Sequence, residues 1–391
     1  MVEVDDVARV RTGLSRAIAE PGLIGDGPVG LCANYTSVTE DLRRGVDALL
    51  GAGVELTTIF TPEHGYWGAV QAGESEGDGV DLGTGLPVLD TYRCDGPRLD
   101  GLLRESGVAT ILVDFQDIGV RFYTYTWTLF DLLCSAARVG IRIVVLDRPN
   151  PLGSLVRTGP GLDPSCASFV GRVSIPLQHG LTLGELARWF NVAHAPDAVG
   201  TGADLEVIEL AGWSRQRRAP DDDWVMPSPN MPTLTTATVF GAIGLLEGTV
   251  LSEGRGTTKP FELFGASWTD GRLAVALTER DLPGVAFREA VFRPTFSKWH
   301  GDVVHGAQLH VRDAAAFDPI ATGVAVLQAV AGLYPGEPIW LPARPGRPPF
   351  IDLLWGSPAL REGIDRGADL SAILDGGPPT PIVPPDALLY V

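Results

Sequence analysis

VELTTIFTPEHGYWG, residues 54–68, reads as a buried strand that runs straight into a turn. Val54, Leu56, Ile59 and Phe60 supply a short apolar run, and the Pro-Glu-His-Gly sequence behind it ends the strand. A strand closed in this way sets Glu63 and His64 at the rim of a sheet, where loop geometry rather than core packing decides where side chains point. Glu63 is the chemical centre of this reading.

The same arrangement recurs on both sides of that stretch. Residues 29–34 form a strand ending at Asn34, and 41–51 place Leu42, Val46, Leu49 and Leu50 on one helical face before the strand that ends at Phe60. A helix near Leu99–Leu103 leads into an apolar strand at 108–115, which closes in DFQDIGVRFYTYTW (114–127). Another helix, 127–139, precedes a strand at 141–147 that closes in DRPNP (147–151). Strands alternating with helices predict an α/β fold with a doubly wound, mostly parallel sheet, whose carboxyl ends share one edge. Asn34, Glu63, Asp114, Asp117, Arg121, Asp147 and Asn150 are expected to converge there. A first helix is expected over 4–20, the Gly-rich acidic stretch 73–85 as an exposed loop, and a capping box of Thr182 and Glu185 opening a further helix. One more strand, 204–210, completes the sheet.

The second half carries two dense loop motifs, PSPNMPT (227–233) and LSEGRGTTKPFEL (251–263), joined by an apolar helix around 240–247. Pro and Gly shape the backbone around Asn230, Glu253 and Arg255. Beyond Trp268, strands at 285–296 and 303–313 with a helix at 319–334 read as a smaller α+β domain. The expected division is 1–250 and 251–391.

Composition narrows the function. Hydrophobic residues are 45% and charged residues 20%, ordinary for a chain with a sizeable core. Thirty Lys and Arg against 48 Asp and Glu give a net charge of −18, which argues against nucleic-acid and anionic-membrane partners. Cys32, Cys94, Cys134 and Cys166 form no CxxC pair, so neither a zinc site nor a disulfide framework is expected. The N-terminus lacks the apolar stretch of a signal peptide, and the reading is of a soluble, cytoplasmic protein. Gly25, Gly27 and Gly30 match GxGxxG, but they follow a helix and enter a strand, the reverse of a dinucleotide fingerprint. No cofactor is expected. Ser75 lies in a formal GxSxG without the strand and helix of a nucleophile elbow.

Carboxylates in shaped loops suit glycoside hydrolysis, which needs two carboxyl groups flanking the scissile bond. Glu63 and Glu253 are the best pair. Asp114, Asp117 and Asp147 are rivals, but an Asp at a strand end is often a structural partner for a nearby Arg, and Arg121 and Arg148 are available to hold them. Tyr66, Trp67, Tyr123, Tyr125 and Trp127 offer flat faces for a sugar, about half of them expected to be simply core. His64 and His179 are spaced unlike a zinc site and suit hydrogen bonding, and Arg255 offers a fork of donors for a substrate carboxylate or for Glu253 or Glu262.

Together, TPEHGYWGAVQAGE, DFQDIGVRFYTYTWT, LDRPNPLG, SPNMPT and LSEGRGTTKPFEL resemble the NamZ-type exo-β-N-acetylmuramidases of bacterial peptidoglycan turnover. The resemblance covers about residues 30–364. It implies a Rossmann-like domain without a nucleotide, a smaller C-terminal domain closing the cleft, and release of a terminal β-1,4-linked N-acetylmuramic acid from the non-reducing end of muropeptide or glycan substrates. It also implies Glu63 as a leading catalytic candidate, with Glu253, His64, Asp117, Asn230 and Arg255 lining the site. The Pro-rich run 378–386 departs from the family pattern and points to different packing there. A non-catalytic muropeptide-binding or sensor protein on the same scaffold is the alternative, since it needs no paired carboxylates.

Overall fold

The computed structural model describes residues 10–153, 158–215 and 223–390. Seven strands, β1 (Val29–Ala33), β2 (Leu56–Thr61), β3 (Gly79–Val80), β4 (Pro87–Asp90), β5 (Thr110–Asp114), β6 (Arg142–Leu146) and β7 (Leu205–Ile208), form one sheet in the order β3-β4-β2-β1-β5-β6-β7. Every pairing is parallel except that of β3 with β4. Alternation along the strands divides the core. Cys32, Ile111, Val113, Ile143 and Val145 face one side, and Leu31, Ile59, Leu112, Val144 and Leu146 the other. Helices cover both faces, as a doubly wound sheet requires.

Three local expectations shift. Of the helix expected at 4–20, residues 4–9 lie outside the described part and the described helix is Gly13–Ala19, capped by the Thr12 hydroxyl, which accepts from the Ser15 N–H. The second helix starts at Gly45 rather than 41, because Leu42 adopts φ 62° and the Thr39 hydroxyl bonds Asp41 and accepts from the Arg43 N–H. The acidic Gly-rich stretch, expected as loop, contributes β3, a two-residue edge strand too short to leave a periodic signal. The Thr182–Glu185 capping box is present, and its helix, Leu183–Trp189, continues into a π-helical turn at Phe190–His194.

The second half builds an antiparallel sheet, β8 (Leu263–Ala266), β10 (Val304–Val311) and β9 (Val285–Phe292) in that spatial order. Helix Pro319–Leu333 packs against helix Leu234–Ile243. One apolar cluster runs without interruption from Cys32 and Ile111 in the first sheet to Leu327, Trp355 and Val383 in the second half. Both halves therefore share a core.

Two polar devices reinforce that junction. Arg121, expected to line the site, is fully buried, and its guanidinium donates to the carbonyls of Pro160 (2.7 Å), Ile175 (2.9 Å) and Trp355 (2.6 Å). It tethers backbone from both halves instead of facing a ligand. The Pro-rich run is a strap. Thr380 donates to the Gly159 carbonyl, Leu389 N–H donates to Glu185, and the Tyr390 hydroxyl reaches Asp147 Oδ2 at 2.6 Å.

Each buried carbonyl left without a donor costs on the order of 1–3 kcal/mol. Replacing Arg121 by Met is therefore expected to lower the unfolding free energy by roughly 3 kcal/mol or more. Urea unfolding checks this, and a loss below about 1 kcal/mol would show that the tether carries little.

Candidate active site

Pro62 ends β2, and the chain turns through two successive left-handed residues, His64 (φ 73°) and Gly65 (φ 77°). Only glycine fits at 65 and 68. A Cβ at Gly65 would lie 2.2 Å from the Glu76 carboxylate, and one at Gly68 would lie 1.7 Å from the Tyr35 ring. Glu76 in turn accepts from the backbone N–H groups of Trp67 (3.1 Å) and Ala69 (3.0 Å), so the loop is rigid while the Trp67 indole stays 46% exposed.

This turn holds Glu63 among neutral donors. Its Oε1 accepts from Gly73 N–H at 2.6 Å and its Oε2 from the Thr124 hydroxyl at 2.7 Å. Thr124 is the N-cap of helix Tyr125–Val139, whose positive dipole end therefore faces the carboxylate. The Tyr92 hydroxyl also lies against Glu63, and burial followed by that negative charge raises the Tyr92 pKa. His64 Nδ1 lies 3.0 Å from the Val70 carbonyl, which assigns it the proton and leaves Nε2 as an acceptor.

The second half reaches this rim. Glu253 is buried, with Oε2 2.9 Å from Lys298 Nζ and Oε1 3.3 Å from Arg255 Nε. Arg255 also pairs with Glu247 and lies over the Phe261 ring, 5.0 Å from its centroid. Arg255 is within electrostatic range of Glu63 and of His64. Asn230 donates to Gln71 at 2.7 Å, tying the 227–233 loop to the segment behind His64. Asn34 donates to the Tyr125 hydroxyl at 2.8 Å, and that hydroxyl donates to the Pro227 carbonyl. Burial pushes the Tyr123 and Tyr125 hydroxyls well above the usual phenol range.

Other expected residues are held in separate networks. Asp114 makes a bidentate pair with Arg148 (2.6 and 3.0 Å) and accepts from Ser37. Asp147 accepts from the N–H groups of Arg148 and Gly184 and from the hydroxyls of Thr182 and Tyr390, so its oxygens have no capacity left for a ligand. Asn150 bonds the Leu181 carbonyl and the Leu152 N–H. Asp117 accepts from Gly119 N–H (2.7 Å) and Thr126 (3.2 Å), with His179 Nε2 at 3.4 Å and His179 Nδ1 accepting from Leu181 N–H. Among the described residues no group of three or more His, Cys, Asp or Glu side chains is placed to hold a metal, and no helix is long and apolar enough to cross a membrane.

Sequence reasoning missed Tyr92, Thr124, Gln71 and Lys298. Tyr92 follows β4, a four-residue strand starting at Pro87 that carries almost no pattern. Lys298 has no motif around it at all.

Family models described as the N-terminal and C-terminal parts of the exo-β-N-acetylmuramidase NamZ match residues 29–235 and 238–377. The chain belongs to the NamZ family. It is 41% identical over 351 residues to the peptidoglycan β-N-acetylmuramidase NamZ of Bacillus subtilis (strain 168), covering 89% of this chain and 82% of that one. Among solved structures, a DUF1343 family protein from Bacteroides fragilis NCTC 9343 superposes with a TM-score of 0.83 at 31% identity over 94% of both chains. A second from the same organism gives 0.74 at 27%, also over 94% of both. The α/β architecture and the NamZ resemblance read from the motifs stand on these findings.

Burial lowers the His64 pKa, opposed by Glu63 and assisted by Arg255. The folded protein therefore binds this proton less readily than the unfolded chain, whose imidazole titrates near about 6.5. The stability linked to neutral His64 is complete above that pH and is lost as pH falls from there through the lower pKa of the folded state. Asn tolerates the left-handed backbone, so His64→Asn is expected to lose less unfolding free energy than wild type between pH values of about 7.5 and 5. Equal losses in urea titrations would remove His64 as a contributor.

Proposed function

We propose that this protein is an exo-acting β-N-acetylmuramidase, hydrolysing the β-1,4 bond of a terminal N-acetylmuramic acid at the non-reducing end of peptidoglycan fragments. Family membership supports the reaction class. The observation that carries the residue assignment is the difference between the two leading carboxylates. Glu63 is held only by neutral donors, Gly73 N–H and the Thr124 and Tyr92 hydroxyls. It can take up and release a proton without breaking an ion pair, as a general acid and base must. Glu253 is clamped by Lys298 and Arg255.

On this reading Glu63 gives its proton to the leaving oxygen as the bond from that oxygen to the anomeric carbon breaks, water forms the new bond to the same carbon, and the proton that this water releases restores Glu63. Glu253 acts as a positioning residue that fixes Arg255 within electrostatic range of Glu63. The rigid Trp67 face lies four residues beyond Glu63 and suits packing against a sugar ring.

Glu63→Gln is expected to lower kcat by about 10³-fold or more on a MurNAc-GlcNAc disaccharide, with binding and Tm nearly unchanged. Release of N-acetylmuramic acid, followed by mass spectrometry, measures it. Substantial turnover by this variant would take Glu63 out of the mechanism. Glu253→Gln leaves Arg255 and Lys298 less neutralised, so it is expected to shift the alkaline limb of the pH–rate profile to lower pH. A uniform loss without any shift would mean that Glu253 acts only on folding.

A further inference from the structure

Arg93 stands at the same rim and takes no part in the scheme above. β4 lies beside β2 with Asp90 opposite Thr61, and Thr91 extends the pairing by donating its N–H (3.0 Å) and hydroxyl (2.8 Å) to the Thr61 carbonyl. Tyr92 and Arg93 thus leave the sheet alongside Pro62 and Glu63. The Arg93 guanidinium lies over the Tyr92 ring, 4.9 Å from its centroid, while the hydroxyl of that ring lies against Glu63.

Three properties set Arg93 apart. Its backbone is left-handed at φ 52°, a conformation that disfavours any residue with a Cβ and that tends to persist where function maintains it. Its side chain is exposed. Unlike Arg44, Arg148, Arg172 and Arg255, it makes no ion pair among the described residues, in a chain of net charge −18.

We propose that Arg93 recognises the lactyl carboxylate that distinguishes N-acetylmuramic acid from N-acetylglucosamine. This rests on the muramidase reading above and assigns its sugar specificity. An anionic substrate approaching a strongly acidic protein needs a local cation. Arg255 and Lys298 are committed to Glu247 and Glu253. Arg93 shares a hydrogen bond with the Tyr92 hydroxyl and makes no ion pair among the described residues, so the rest of its fork is available to a carboxylate, and the contact with Tyr92 limits the freedom it loses on binding. The lactyl group hangs from C3 of the sugar, two ring atoms from the anomeric carbon. A cation beside the carboxylate that serves the glycosidic oxygen matches that layout.

The test is isothermal titration calorimetry of N-acetylmuramic acid, its lactyl methyl ester and N-acetylglucosamine against wild type, Arg93→Gly and Arg93→Lys. Gly suits φ 52°, so Arg93→Gly is expected to melt no lower than wild type. It is expected to weaken N-acetylmuramic acid binding about 10- to 100-fold and to leave the methyl ester unchanged, with Lys intermediate. Undiminished N-acetylmuramic acid binding by Arg93→Gly, or an equal loss for acid and ester, would overturn the assignment. Turnover of the MurNAc-GlcNAc disaccharide by wild type is scored separately. A wild type that binds the acid through Arg93 without cleaving the disaccharide sinks the muramidase reading alone, one that cleaves the disaccharide but binds no N-acetylmuramic acid sinks the Arg93 assignment alone, and one that does neither sinks both.

Discussion

Taking a charge out of water without a partner is the most expensive thing a fold can do, and the carboxyl edge of this sheet is arranged around that fact. Asp114 has Arg148, Glu185 has Arg215, and the Arg121 guanidinium has a ring of carbonyls. Asp147 is surrounded by four donors, one of them brought from residue 390. With so many charges held internally, the polar groups free to act on a ligand are few. At the rim, Glu63 has neutral partners and Arg93 has no ionic partner among the described residues, so neither charge is spent on an opposite one.

The parallel sheet was legible because buried strands of five or six residues, separated by helices, leave apolar runs that periodicity detects. β1, β2, β5 and β6 all fall where those runs lie. What escaped was short or overridden locally. β3 has two residues, and the helix at Gly45 starts late because side-chain bonds around Thr39 hold a turn that periodicity does not register.

The site was legible in part, and the division has a physical cause. Residues inside long motifs, such as Glu63, His64, Glu253, Arg255 and Asn230, meet around one rim, because Pro and Gly fix their loops. Position at a strand end did not by itself separate ligand-facing groups from structural ones. Asp114 and Asp147 sit at the ends of β5 and β6 as Glu63 follows β2, yet their oxygens are consumed by Arg148 and Tyr390. Only the identity of the partner tells them apart, and a partner 243 positions away in the chain cannot be read from local pattern.

That separation bears on how the molecule reaches its structure. The contact between Asp147 and Tyr390 closes a loop of more than half the chain, and the shared core ties sheet residues near 32 and 111 to others near 327, 355 and 383. Contacts so remote in sequence raise the contact order, and search time grows with it. The sheet can collapse early on its own alternating faces, but the strap over Asp147 closes only after both halves have met. Folding should therefore be slow, with the docking of the two halves as its late step and their loss on unfolding coupled into one transition.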